Sequence, residues 1–217
     1  MSGASDLFLK DVSSVDIIVQ VSMSHQGVGA VPIQELADDL LRYAYLRIVA
    51  SIDSYFGNVL FELFRKSDFR SWVQVLKEDA LLSFSVQELA TVVEEQLCAD
   101  SSFYPAFRRI LGDKIMSLPF QNPSIPPRLC NMLGYKNFWD YAEGCKPSYL
   151  SGTRDIANLY REVIARRNAI AHNNDRLTPY ASDPRAISVD DVTHARTVVM
   201  HVQSCFEQYV VVPFVKS

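Results

Sequence analysis

The chain has 217 residues, 48% of them hydrophobic and 21% charged, with a formal net charge of −4. That length suits one domain, with or without an N-terminal extension, and the composition supports a substantial core and excludes wholesale disorder. The acidic balance excludes a protein coated in basic residues for general nucleic-acid binding.

Residues 7–22 carry a helical stripe (Leu7, Phe8, Val12, Val15, Val19) and also a β-branched run from Val15 to Val21; they are read as helix. A loop-like Ser24–Gly29 follows, so 1–32 is assigned as an N-terminal extension and 33–217 as the main domain. Beyond Pro32, the residues Leu36, Leu40, Tyr43, Leu46, Ala50, Tyr55, Val59 and Leu63 predict a long amphipathic helix over 33–66, broken once near Ile52. Its aromatics Tyr43, Tyr45, Tyr55, Phe56, Phe61 and Phe64 are expected in the core. A shorter helix is expected over 69–78. Ser85 and Glu88 have capping-box spacing for a helix reaching residue 97.

Residues 102–116 predict helical turns interrupted at Pro105 and Gly112. The segment 117–150 reads as a connector with short helices over 128–133 and 137–142, its Phe138, Trp139 and Tyr141 requiring burial. Thr153 and Asp155 can cap a helix over 154–172, and Ser188 with Asp191 a last helix with the stripe Val192, Ala195, Val199, Val202, Phe206 and Val210. The fold class expected is all-α.

Charge is unevenly placed. Between Lys146 and Arg176 stand six basic and three acidic residues, leaving the rest of the chain at −7. A local basic surface on an acidic body fits a confined anion site. Cysteines 98, 130, 145 and 205 form no C-x-x-C pair, so zinc and thioredoxin-like readings lose their signature, and no metal or cofactor is expected. With no signal-peptide pattern and no apolar run near the about 18–20 residues that span a bilayer, a soluble cytoplasmic chain without a membrane partner is expected.

The chemistry concentrates in Arg166-Arg167-Asn168-Ala169-Ile170-Ala171-His172. An arginine can neutralise phosphate oxygens and a histidine can move protons near neutral pH, which together fit work on a phosphodiester. The ordinary alternative is that Arg and His near a helix C-terminus simply complement its dipole. At about 100° per residue, Ile156, Leu159, Val163 and Ile170 face the core, with Arg167 at that face's edge. Arg161, Ala165, Asn168 and His172 follow one another on a second, small and polar face. On a straight helix Arg167 and His172 diverge by about 140°. Their convergence requires a frayed helix end or a second subunit.

The R-N-x-x-x-H form at Arg167–His172 resembles the motif of HEPN-domain proteins. The Ile52–Leu60 stretch of the long helix, Asn122-Pro123-Ser124 leading to Leu133-Gly134-Tyr135 and Phe138-Trp139, and the post-motif loop into Ile187–Asp191 are similar to the RiboL-PSP-HEPN branch over residues 33–212. The resemblance implies a HEPN-like bundle of four to five main helices with short accessory helices, a homodimer with motif helices meeting across the interface, and a metal-independent endoribonuclease. It implies catalytic roles for Arg167, His172 and Asn168, with RNA as the substrate. The functional expectation is a toxin or antiviral-defence effector with an antitoxin or sensor partner. The alternative is a non-catalytic RNA-binding or dimerisation module. Arg161 and Arg166 are candidates for RNA-backbone contacts, weighed equally against being solvated helix charges. Asn174 stands where nucleotidyltransferase-modified HEPN toxins carry a tyrosine, which argues against that variant. His194, His201 and Cys205 have spacing compatible with a metal but are read as packing.

Overall fold

Ala4, Phe8, Val12 and Val15 recur every three or four residues and are buried, which puts them on one side of a helix, α1 (Gly3–His25). The computed structural model describes residues 3–25, 31–66, 84–99, 104–150, 152, 154–173, 175–176 and 183–213. The helix expected over 69–78 lies outside them. The described residues are all-helical, with no strand. Among them no helix is long and apolar enough to cross a membrane.

α1 lies antiparallel along α2 (Val31–Lys66): Phe8 packs on Tyr55 with ring centroids 5.7 Å apart, and Ser22 Oγ donates to the Ala37 carbonyl at 2.9 Å. The N-terminal segment thus contributes to the same core as the rest of the chain. The buried stripe of α2 begins at Ala37, Leu41 and Ala44, one residue later than the periodicity predicts, runs through Ile48 and Ile52 without a break, and meets the predicted positions at Tyr55, Val59 and Leu63. Leu36, Tyr43 and Phe61 are exposed, which corrects the expectation for two of the six aromatics. The cause is the number of elements on α2. It packs against α1, the helix over Tyr104–Ser117 and the last two helices, so its buried arc is wider than a single stripe.

Helix α3 (Val86–Ala99) opens with the expected reciprocal cap: Ser85 N–H donates to Glu88 at 2.7 Å and Glu88 N–H to Ser85 Oγ at 3.2 Å. The following helix, α4 (Tyr104–Ser117), is continuous where interruptions at Pro105 and Gly112 are predicted. Pro105 falls in the first turn, whose N–H groups have no helical partner anyway. Gly112 lies under the Phe61 ring, where a Cβ would sit 3.4 Å from a ring carbon. A close contact therefore offsets its weak helix propensity.

The connector forms α5 (Ile125–Met132) and α6 (Phe138–Gly144). α5 starts earlier than predicted because its two prolines fit the first turn. It ends in a Schellman pair, Gly134 N–H to Asn131 O at 3.0 Å and Tyr135 N–H to Cys130 O at 2.8 Å. Gly134 takes a positive φ of 85° there, as a residue without Cβ can.

The last two helices are α7 (Ile156–Asn173) and α8 (Val189–Phe206), the latter continued by a π turn over Glu207–Val211. Phe56, Phe138 and Phe206 interlock at the centre, with Phe206 5.1 Å from Phe56 and 6.0 Å from Phe138. All six stripe residues predicted for the last helix are buried. α1 is tied to α8 in antiparallel sense by Gln203–Ser5 at 2.7 Å and Arg196–Asp16 at 2.6 Å. His201 and Cys205 pack within the fold, His201 Nε2 donating to the Ala142 carbonyl at 2.9 Å.

Candidate functional site

α7 is held firmly at both ends. At its start, Asp155 Oδ1 accepts from Asn158 N–H at 2.7 Å, as predicted, and Glu143 of α6 accepts from Ile156 N–H at 2.8 Å. Thr153, the other predicted cap, lies outside the described residues. At its end, Asp175 N–H reaches back to the Ala169 carbonyl at 3.0 Å. Between these anchors the helix is regular through His172, so no fray brings Arg167 and His172 together.

Ile156, Leu159, Val163 and Ile170 are buried as expected, and Tyr160 and Ile164 join them. At about 100° per residue, Arg167 lies at the middle of this buried arc, not at its edge. Its side chain is consequently split in character. Nε is buried and has no hydrogen-bond partner, while NH1 donates to Asn168 Oδ1 at 3.0 Å on the exposed side. The guanidinium therefore emerges beside Asn168, about 40° around the helix from exposed His172. No hydrogen bond joins His172 to Arg167 or Asn168. The structure brings Arg167 and Asn168 together and leaves His172 next to them on the same open face.

Arg161 is also on that face, donating to Asn158 one turn earlier. Arg166 has a different job. It donates to Asp191 at 2.7 Å, to Asp175 at 3.2 Å and to the Ala186 carbonyl at 2.9 Å, and lies 5.7 Å from the centre of the Tyr45 ring. Its two terminal nitrogens are thus engaged within the chain, while its buried Nε has no partner.

Sequence reasoning missed the centre of that network. Asp175 is fully buried, takes a left-handed φ of 57°, and accepts from Arg185 at 2.7 and 3.0 Å as well as from Arg166. Arg42 Nε of α2 lies 3.9 Å from its other oxygen. Only the turn-like Asn173-Asn174-Asp175 hints at it in the sequence. Asp191 serves twice, as partner of Arg166 and as the capping-box residue of α8 with Ser188. Burial works to raise its pKa, but hydrogen bonds from Ser188, then the Arg166 charge, outweigh that and hold it below the usual carboxylate value.

Behind Arg167 lies a second missed group. Asp53 of α2 has one oxygen bonded to Gln121 Nε2 at 3.2 Å and the other buried without a partner; the Tyr160 hydroxyl is also buried and unpartnered. Burial raises the Asp53 pKa, opposed by the Gln121 hydrogen bond and then by the positive charge of Arg167. Burial and the Asp53 charge both push the Tyr160 hydroxyl up. A carboxyl on an otherwise apolar turn, between Ile52 and Tyr55, was the available signal.

No family model, curated protein or solved structure matches this chain. Among the described residues no group of three or more His, Cys, Asp or Glu is placed to hold a metal ion. What the face of α7 can do follows from its own side chains: a guanidinium with outward donors, an amide beside it, and an exposed imidazole one turn away.

Proposed function

We propose that the chain is a metal-independent endoribonuclease of the HEPN type, whose active site forms when the exposed faces of two α7 helices meet, and that it acts as a toxin or defence effector. The observation that carries this reading is the Arg167–Asn168 hydrogen bond, which delivers the arginine head from the buried side of α7 to the face of His172. That face is open: Arg161, Ala165, Asn168 and His172 are all exposed.

The chemistry needs both a base and an acid. The RNA 2′-hydroxyl attacks the adjacent phosphorus while the bond to the 5′-oxygen breaks, leaving a 2′,3′-cyclic phosphate and a 5′-hydroxyl. One His172 takes the 2′-hydroxyl proton, and the His172 of a second copy gives a proton to the departing oxygen. One chain places a single histidine on this face, which is the reason two copies are required. Arg167 stabilises the charge that builds on the phosphorus oxygens, and Asn168 fixes the guanidinium.

The test is RNA cleavage by the purified protein in EDTA. Wild type should cut RNA and spare DNA of the same sequence, which lacks the nucleophile. His172→Ala should lower the rate by about 10²–10⁴, and Arg167→Ala by about 10²–10³. No cleavage by wild type, or cleavage by both variants at the wild-type rate, would sink the enzymatic reading and leave a binding or dimerisation module.

A further inference from the structure

Two clefts lie side by side on the flank of α7 that faces α8. One, of about 540 Å³, is bordered by Arg166, Asn173, Arg176, Arg185 and Asp191. The other, of about 310 Å³, is bordered by Tyr149, Gly152 and Arg154 at the opposite end of the helix. Glu162 and His194 line both, so the two adjoin as a groove beside α7 from Leu159 to Asn173, about 21 Å at 1.5 Å per residue.

The groove has its own electrostatics. Four arginines and two carboxylates line it, in a chain whose net charge is −4. Arg154 is matched by Glu162 at 2.5 Å, Arg166 by Asp191 and Asp175, and Arg185 by Asp175. Arg176 differs in having no carboxylate partner among the described residues; its buried Nε–H, like that of Arg166, has no acceptor. A buried donor without a partner costs about 1–3 kcal/mol, so an anion with several acceptor oxygens is the ligand this position suits. At the far end the Tyr149 ring is 76% exposed, a large aromatic face available to solvent.

An exposed ring at one end, an unmatched guanidinium at the other and a charge-paired floor between can serve as a single-strand binding groove. We propose that this groove holds single-stranded RNA, with a base stacked on Tyr149 and a backbone phosphate on Arg176. The span accommodates about four nucleotides. Asn173 borders the groove, and His172 lies about 100° around the helix from it, outside both clefts. An A-form duplex is a poor fit, because its phosphates spread over a broad face and the acidic body repels them. The proposal rests on the reading of the chain as an RNA-cleaving protein, and relocates the substrate contacts from Arg166 to Arg176 and Tyr149.

The test is fluorescence anisotropy with a fluorescein-labelled single-stranded RNA of about twelve nucleotides, using His172→Ala protein so that the probe stays intact. Adding Arg176→Ala should weaken binding about tenfold and lower the slope of log Kd against log salt by about one. Adding Tyr149→Ala should weaken binding about five- to tenfold and leave that slope unchanged. Lys10→Ala, an exposed charge on α1, is the control and should change neither. Thermal melts of the groove variants should overlay the parent, since Tyr149 is exposed and Arg176 makes no ion pair among the described residues. Binding within about twofold of the parent for both groove variants, tighter binding of a duplex of equal length, or no RNA binding by the parent would overturn the proposal; the last would leave the groove to a protein partner. Groove-dependent binding with no cleavage by wild type would remove the catalytic reading alone. Cleavage by wild type with inert groove variants would remove only the groove.

Discussion

Asp53 is a carboxylate turned toward the motif helix and held there at a disadvantage. Because burial raises its pKa, it favours the folded state least once the pH passes the ordinary aspartate value near 4. Its stability contribution is thus greatest in acid and falls as pH rises. Asp53→Asn should therefore raise the melting temperature at pH 7 and leave it unchanged near pH 3. The same change should slow RNA cleavage, because an amide cannot hold the Arg167 charge. A lower melting temperature at pH 7 would mean that attraction to Arg167 outweighs the cost of burial, and cleavage at the wild-type rate would show that Asp53 does not act through Arg167. The spacing of Arg167, Asn168 and His172 was readable in the sequence, whereas the buried stem of Arg167 was not. That stem depends on α2 crossing the same face, which no local pattern records.

The end of α7 is set by one residue that the helix does not contain. Asp175 combines a left-handed backbone with a buried carboxylate facing Arg42, Arg166 and Arg185. Removing a partner from a buried ion network costs about 3–5 kcal/mol, so Asp175→Ala should be severely destabilised in urea unfolding. Asp175→Asn should recover about 1 kcal/mol of that loss, since asparagine tolerates the left-handed region. Equal stabilities of the two variants would mean that the backbone conformation contributes nothing. Elements whose signals are local were legible: the caps at Ser85, Asp155 and Ser188, and the stripe of α8. Elements decided by packing were not. The first half of the α2 stripe moved by one residue because several helices share its surface, and α4 runs through Pro105 because its first turn accommodates proline.

For the whole molecule, a site needing a His172 from each of two chains has a distinctive titration. Wild type and His172→Ala co-expressed in equal amounts should give about a quarter of the wild-type activity per total protein, as only homodimers of wild type carry both histidines. A value near one half would mean that each chain works alone. The helical class was fixed by periodicity throughout, but the shared core of α1 with α2 and α8 was not, since the contacts join residues nearly two hundred positions apart. Those bonds from Ser5 and Asp16 to α8 also order events during synthesis. The α1–α2 hairpin can close early on the ribosome, but its outer surface waits for α8, which emerges after the helices before it. The groove is lined by residues of α8, so a translating ribosome carries an unfinished version of it until that helix has been made.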